Sequence, residues 1–578
     1  MQPGQQPVRP PQGPLAQGVP SNGPIPAPSS APTPRPQPRP RPSHKADAGQ
    51  PGAGSFFSRS RVLLATVFAV SFLSYILLLT KTYYWDGIFF AHTIENAPRL
   101  NASLVHPSHL LDMVFQYVIY RAVLLTGFQP RALTVMQVSN CIVAALAACV
   151  FFKISLEVFK SRYVSLVSTA LFAFSATWWK FSTDANSYIL AVLLLLLSFY
   201  LALPQRKPRP FMLAMVHAQA MLVHQLSVLF FPVAMAALIF QCRGMPRNDQ
   251  LKCVAKYVLT VVSVTVAAYF AMFYLATGSV SVRGFATWIT YFSPEHGFTF
   301  SAWNNLVHTM RAQWRVFLGG RAGFVRDLWG PVIQTMVALS FLVVLAFFGL
   351  MLRRVSELKA AVTAAIRERA QFKPLTTLCI IWALVYIVFL FFFIPQNAFY
   401  RLFYLPALVI LAATVLATIE SSPHHVRRYR AVLFAAAVFC SNLTLSQYPS
   451  SRVRANPPLQ LAQALNQTWP AGTTVYFASS NSDNLLLRYF NPGSVWVEAS
   501  PDALTRDISI LPPSGRSAWL ETTLIDQFEG TAEGKAWLDA HTLVRPEYEL
   551  VNRKHRIRFR QLNSHSFSNA GPQPSRLP

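Results

Sequence analysis

Long apolar runs, repeated along most of the chain, constrain this sequence more than any other feature. Runs of about 20 apolar residues are long enough for a helix to cross a bilayer. Eleven such segments, several of them short, lie near 62–80, 132–152, 163–179, 185–203, 210–222, 225–241, 254–275, 331–352, 375–394, 402–419 and 431–447. Charged residues make up 13% of the chain, whereas a soluble domain carries about a quarter. The sequence therefore predicts a polytopic α-helical membrane protein with about eleven spans.

The basic residues are distributed unevenly between alternate loops. One set of loops holds 19 Lys and Arg in 65 positions, and the other set holds 11 in 120. Because positive residues stay on the cytoplasmic side, the first set and the N-terminus should be cytoplasmic. The outer loops 81–131 and 276–329 and everything after 447 should face outward. We expect an integral protein of the bacterial inner membrane with a periplasmic C-terminal domain, and we read the +27 net charge as topology rather than nucleic-acid binding.

Composition divides the chain into four parts. Residues 1–58 hold 16 of the 42 prolines and should form a disordered cytoplasmic tail. Residues 59–447 form the transmembrane domain. Residues 448–562 should form a separate, small α/β domain, followed by a disordered tail at 563–578. Strands are expected at Thr473–Ala478, Ser494–Glu498, Ala518–Leu524 and Tyr548–Leu562, with helical patterns around Asn484–Phe490 and Lys535–His541.

The first outer loop carries the most informative motif. Asp86 follows the aromatic residues Tyr83, Tyr84 and Trp85, which should fix it at the outer water–lipid boundary. The pattern W-D-G-x-F-x-A-H at 85–92, followed by H-P-x-x at 106–109, resembles the first outer loop of GT-C-type multispanning glycosyltransferases. The match is to the group related to protein O-mannosyltransferases, whose loop reads D-x-G-E-F and then H-P-P-G.

Two further segments resemble the same group in the same order. Residues 177–188 are similar to its W-x-x-A-x-x-x-E-V-Y turn, with Asn186 where the acid would be, and residues 224–232 are similar to its H-L-x-x-L-L-x-x-P. The resemblance covers about 80–235 and implies a GT-C-like fold. It implies transfer of a sugar from a polyprenyl-phosphate donor to a protein, lipid or glycan acceptor, with inversion. The glutamate of D-x-G-E is missing after Asp86.

Sugar transfer from a lipid phosphate needs a base for the acceptor hydroxyl and cations for the departing phosphate. Asp86 is the expected catalytic base, and the alternative is a carboxylate that caps the end of the first span. Substrate contacts are expected from residues in or beside the motifs, namely His92, Glu95, His106, His109, Asp184, Tyr188 and His224. For His224, packing between helices is the stronger alternative.

Two further groups of cations could meet the phosphate. Trp303, Leu306, Val307, Met310, Trp314 and Phe317 are spaced as one helical face, which predicts an amphipathic helix on the outer leaflet. Its cations Arg311 and Arg315 could contact lipid headgroups or the donor phosphate. Arg401 is the one cation of its short outer loop, where it could bind the donor phosphate or extend to the interface by snorkelling.

We expect no cofactor, because His106 and His109 lack a clear third ligand and the six cysteines form no CxxC pair. Expected partners are the lipid-linked sugar donor, membrane lipids and the acceptor, without nucleic acid. Two other functions remain open: a transporter or flippase of lipid-linked sugars, and a membrane-anchored binding protein that acts through its C-terminal domain.

Overall fold

The structure is a computed structural model that describes residues 53–290, 298–320, 322–352, 363, 372–420, 426–506, 517–551 and 556–563. The proline-rich tail up to residue 52 and the C-terminal tail from 564 lie outside the described residues. The same holds for parts of the predicted loops 276–329, 352–373 and 420–430.

The described chain up to residue 450 is helical. Its α-helices are α1 (Ala53–Ile76), α2 (Trp85–Asn96), α3 (Asp112–Leu125), α4 (Ala132–Phe159), α5 (Arg162–Ala173), α6 (Ala176–Ser182), α7 (Tyr188–Leu201), α8 (Pro210–Val223), α9 (Phe231–Gln241), α10 (Arg247–Thr277), α11 (Val282–Thr290), α12 (Ala302–Phe317), α13 (Ala322–Asp327), α14 (Pro331–Leu352), α15 (Lys373–Phe392), α16 (Leu405–Glu420), α17 (Val426–Asn442) and α18 (Tyr448–Ser450).

Five helical segments are long and apolar enough to cross a membrane by length and composition: Ala132–Phe159, Arg247–Thr277, Pro331–Leu350, Lys373–Phe392 and Tyr429–Ser450. Five shorter apolar helices accompany them: Arg61–Ile76, Tyr188–Leu201, Pro210–Val223, Gln225–Gln241 and Leu405–Thr418. Large apolar side chains such as Leu259, Leu275 and Leu342 are at least 60% exposed on these helices, as expected of surfaces that face hydrocarbon. The chain is a multi-pass membrane protein, and the count of eleven spans stays a prediction.

The segment expected to span at 163–179 is divided into two helices. α5 has 12 residues and α6 has seven, and the chain leaves the helical conformation at Phe174 and Ser175. Trp178 and Trp179 of α6 are buried in the main apolar core. The apolar composition of this segment therefore reflects burial in protein rather than one continuous span.

The C-terminal region contains a five-stranded sheet with helices. The strands are β1 (Thr474–Phe477), β2 (Val495–Glu498), β3 (Ala518–Glu521), β4 (Thr542–Val551) and β5 (Arg556–Leu562). The helices are α19 (Pro457–Thr468), α20 (Ser482–Phe490), α21 (Pro501–Arg506), α22 (Thr522–Glu529) and α23 (Ala532–His541). The strand order is β2-β1-β3-β5-β4. β1 pairs in parallel with β2 and β3, and β5 is antiparallel to β3 and β4.

Two expected strands are corrected by the structure. The strand expected at Ala518–Leu524 ends at Glu521, and its last three residues belong to α22. Tyr548–Leu562 is not one strand but the end of β4 and the whole of β5, which pair as antiparallel neighbours with Tyr548 opposite Phe559. Apolar alternation continues through both strands, so the pattern alone did not reveal the reversal between them.

The C-terminal region shares part of its apolar core with the helical region. Ile88, Phe90 and Ile94 of α2 share one buried cluster with Leu487 and Trp519 of the C-terminal region. A second, smaller cluster on the other side of the sheet contains residues of the C-terminal region alone. The region predicted as separate is therefore packed onto α2.

Candidate active site

Asp86 lies in the first turn of α2, a short helix in the segment 81–131 that the sequence predicts as an outer loop. The preceding helix, α1, ends at Ile76, so Asp86 belongs to a different helix from the first span. The alternative that Asp86 caps the first span is therefore wrong. Asp86 is half-buried.

The turn between α6 and α7 holds the start of α2. The backbone N–H of Tyr84 donates to Asp184 Oδ2 at 3.0 Å, and the N–H of Ala185 donates to Asp184 Oδ1 at 2.9 Å. Burial raises the pKa of Asp184 to about 7, opposed by nearby Lys180 and these two backbone donors. Asp184 thus uses both carboxylate oxygens to anchor the chain two residues before Asp86.

Asn140, a polar residue of α4, also holds the turn between α6 and α7. Asn140 Nδ2 donates to the carbonyl oxygens of Asp184 and Asn186 at 2.8 and 3.0 Å. Asn186 Oδ1 accepts from the N–H of Tyr188 at 3.0 Å. In this chain, Asn186 orders the start of α7 instead of supplying the carboxylate of the resembling motif.

Aromatic rings surround Asp86. Tyr84, Tyr188 and Tyr400 all lie near enough to sense its charge. The ring of Tyr188 lies 6.2 Å from that of Tyr84 and 5.9 Å from that of Tyr400, between centroids. Burial raises the pKa of Asp86 to about 6, and a hydrogen bond with Tyr84 offsets part of the rise. A carboxylate with this pKa is largely unprotonated at pH 7 yet more basic than usual, which suits a general base.

Three histidines from two segments meet beside this aromatic group. The His109 ring lies 5.3 Å from His106 and 4.5 Å from His224, between centroids. His109 Nδ1 is 3.1 Å from Ser187 Oγ, and His224 Nδ1 accepts from the N–H of Leu226 at 3.1 Å. Burial lowers the pKa of His106 to about 4 and that of His109 well below its ordinary value. These rings are therefore neutral at pH 7 and act as hydrogen-bonding or stacking groups rather than cations.

Within the described ranges, no group of three His, Cys, Asp or Glu side chains could hold a metal ion. All six cysteines are free. The expectation that the protein uses no metal or other cofactor stays a prediction.

Arg401 is fully buried in the 3-10 helix Phe399–Phe403. Its guanidinium donates to Tyr404 Oη at 2.8 Å and to the carbonyl of Pro395 at 2.7 Å, and its Nε has no partner in the described structure. Snorkelling is therefore wrong, because it would carry the guanidinium to water. A buried cation whose hydrogen bonds go to neutral groups is a candidate site for an anion.

Glu95 and His92 lie further along α2, where the C-terminal region covers the helix. Glu95 accepts from Arg131 Nε at 3.0 Å and from Tyr489 Oη at 2.6 Å. His92 is half-buried, and its ring lies 6.5 Å from the Tyr489 ring. Glu95 is thus committed to a contact between segments, and substrate binding by either residue stays a prediction.

α12 has the amphipathic character expected from its spacing. Trp303, Met310 and Trp314 are at least 65% exposed on its apolar face. Arg311 and Arg315 are also exposed, on the flank of the helix. The sequence did not indicate which face packs on protein: it is the row of Asn305, Thr309, Ala312 and Val316. Contact of the two arginines with the donor stays a prediction.

Sequence reasoning missed two pairs of residues. Tyr400 and Phe399 pack on Tyr188, and their aromatic pair directly before Arg401 was the available signal. Asp112 and Gln116 form an i, i+4 pair on α3 that is fully buried, and all four of their side-chain polar atoms lack a partner in the described structure.

Comparisons with known proteins identify the fold. No family model matches the chain, and no curated protein sequence matches it. ArnT from Cupriavidus metallidurans bound to undecaprenyl phosphate is similar in structure at 12% identity, covering 90% of this chain and 100% of that one, with a TM-score of 0.52. The same protein in the apo state matches at 13% identity over the same shares and with the same TM-score.

A looser similarity is found to an Archaeoglobus fulgidus oligosaccharyltransferase in complex with zinc and sulfate. The two sequences are 12% identical, the similarity covers 75% of this chain and 62% of that chain, and the TM-score is 0.44. The similarity to ArnT extends along the full length of that protein. The chain therefore has the GT-C fold that its outer-loop motifs led us to expect.

Proposed function

We propose that this protein is a membrane glycosyltransferase that moves a sugar from a polyprenyl-phosphate donor to an acceptor hydroxyl on the outer face of the membrane. The observation that carries the proposal is the convergence of Asp86 with Tyr188, His109 and His224 from separate segments. They meet beside the ends of apolar helices. The fold adds support, since ArnT was solved with undecaprenyl phosphate bound.

The proposed reaction uses Asp86 as base. Its carboxylate takes the proton of the acceptor hydroxyl while the hydroxyl oxygen forms a bond to the anomeric carbon of the sugar. The bond from that carbon to the phosphate oxygen breaks, and the phosphate leaves with the bonding electrons as an anion. Attack opposite the leaving group inverts the anomeric centre.

Arg401 is the proposed partner of the departing phosphate, with α12 lying on the outer leaflet nearby. Tyr404 Oη, which accepts from Arg401, donates to Gln313 Oε1 of α12 at 2.7 Å. This contact links the buried cation to the amphipathic helix that would meet the donor lipid. A buried charge with fixed hydrogen bonds stabilises developing negative charge without reorganisation.

The remaining assignments belong to the same proposal: a bacterial inner membrane location, a cytoplasmic N-terminus and a periplasmic C-terminal domain. Action as a flippase finds no support, because the residues of the proposed site, Asp86, His109, Tyr188 and His224, lie at helix ends, whereas transporters bind substrate near mid-membrane. A binding role for the C-terminal region remains compatible with transfer rather than opposed to it.

The test is donor turnover by the purified protein in lipid vesicles. A panel of radiolabelled polyprenyl-phosphate sugars is added with total periplasmic and membrane extract as acceptor, and release of polyprenyl phosphate is measured. We expect release with one donor and loss of release in Asp86→Asn, with Asp502→Asn, an exposed carboxylate of the C-terminal region, as matched control. Movement of donor across the bilayer without release would instead indicate a transporter.

A further inference from the structure

Two consecutive residues of the C-terminal region contact the two ends of α2. Tyr489 and Phe490 end α20. Tyr489 reaches Glu95 near the last turn of α2, and Phe490 stacks on Tyr83, just before its first turn. Asp86 lies between these contacts. We call this pair the 489–490 clamp.

The Tyr489 side of the clamp is a dense polar contact. Its hydroxyl donates to Glu95 Oε1 at 2.6 Å and accepts from the N–H of Leu133 at 3.2 Å. Arg131 donates to the Tyr489 carbonyl at 2.7 Å, and its guanidinium carbon lies 3.9 Å from the centre of the Tyr489 ring. Glu95 also accepts from the N–H of Ala132 at 2.7 Å. One tyrosine therefore ties α2 to the start of α4.

The Phe490 side is apolar. Its ring lies 5.5 Å from the Tyr83 ring, with 25° between the planes. Tyr83 precedes Tyr84, whose N–H is bonded to Asp184. The first turn of α2 is thus held by Phe490 on one side and by the α6–α7 turn on the other.

We propose that Tyr489 and Phe490 are positioning residues: the C-terminal region holds α2 in place and through it holds Asp86 against the substrate. The first half of this proposal concerns structure alone, and the second half rests on the proposed function. A domain that served only to bind a partner would need no paired contacts at both ends of the helix that carries the proposed base.

The experiment compares Tyr489→Phe and Phe490→Leu with Tyr548→Phe as matched control. Tyr548 is another tyrosine of the C-terminal region, and its hydroxyl contacts Thr468 within that region. Hydrogen exchange of the α2 amides is measured for each full-length variant in one lipid system, together with kcat, KM and donor affinity.

We expect α2 amides to exchange on the order of tenfold faster in the two clamp variants, because fewer contacts oppose local opening. We expect kcat to fall on the order of ten- to hundredfold, since small displacements of a reacting group have effects of this size. Donor affinity should stay within about twofold. A purely structural role would lower the thermal midpoint without changing the kcat of the folded protein.

Unchanged α2 exchange in both variants would overturn the clamp. Faster exchange with unchanged kcat would overturn the link to Asp86. If wild-type protein turned over no donor, the proposed function and the link to Asp86 would both fall, while the exchange data would still decide whether the C-terminal region holds α2.

Discussion

Gly87 lies against the backbone of Ala185 with no room for a side chain. A Cβ atom at Gly87 would overlap the carbonyl oxygen of Ala185 and would lie 2.9 Å from its carbonyl carbon. Because backbone cannot rotate away, this approach between α2 and the α6–α7 turn requires glycine. It explains in physical terms why glycine follows the aspartate in the first outer-loop motif.

Gly87→Ala should therefore displace α2 and Asp86 with it. Overpacking of this kind costs about 1–3 kcal/mol, and displacement of a reacting group costs on the order of 10²-fold in rate. The measurement is donor turnover and thermal midpoint. Gly323→Ala is the control, since a Cβ at Gly323 meets nothing within 4 Å. Turnover near wild type in Gly87→Ala would mean that α2 does not depend on this contact.

The sequence indicated which segments carry the candidate site, but not how they are held. Asp86, Tyr188 and His224 could be proposed because each lies in a recognisable local pattern. The bond between Tyr489 and Glu95 joins residues 394 positions apart, and no local pattern encodes such a contact. The division of the expected span 163–179 into α5 and α6 could not be predicted either. Apolar composition indicates burial, whether the segment is surrounded by lipid or by protein.

Asp86→Asn should remove transfer while donor binding is retained. Asn keeps the size of the carboxylate but cannot accept the proton, and loss of a general base costs about 10²–10⁴-fold. Wild-type kcat/KM should rise with pH through about 6, the pKa of Asp86, because only the unprotonated form acts as base. If Asp86→Asn kept more than about a tenth of the wild-type turnover, the loss would be smaller than that range, and Asp86 would not be the base.

Arg401→Gln should weaken donor binding as well as turnover. A buried cation that faces the phosphate acts in both the ground state and the transition state. Loss of a charged hydrogen bond costs about 1.5–3 kcal/mol, or roughly ten- to hundredfold in Kd. Tyr404→Phe removes one hydrogen bond of Arg401 and keeps its charge, so its donor Kd should change little. Equal losses in both variants would indicate that Arg401 only fixes the turn.

Topology can be tested by single-cysteine labelling in a background without the native cysteines. Ser301, Ser480 and Gln205 are exposed, so each replacement should be tolerated. Because Gln205 lies in a basic loop, positive-inside orientation predicts that Ser301→Cys and Ser480→Cys react with an impermeant reagent added outside, while Gln205→Cys is protected. The reverse pattern would invert the proposed orientation.

Asp112 should make the protein less stable as pH rises. Burial raises its pKa from 3.8 to about 8 in the folded protein, so between these values the folded state holds a proton that the unfolded state has lost. Stability then falls with increasing pH across this window, by about 1.4 kcal/mol for each unit of pKa difference. Asp112→Asn cannot titrate at this position. Its thermal midpoint should therefore decline less than that of wild type between about pH 5 and about pH 8, within the window between the two pKa values.

A surface carboxylate provides the control for the Asp112 prediction. Asp502→Asn changes an exposed carboxylate and should leave the wild-type pH slope unaltered. Asp112→Asn should be more stable than wild type at the upper end of the range, since it removes the need to bury a carboxylate without a partner. If its slope equalled that of wild type, Asp112 would be ionised in the folded protein. An unseen partner would then have to neutralise it beside Gln116, whose side-chain amide also lacks a partner in the described structure.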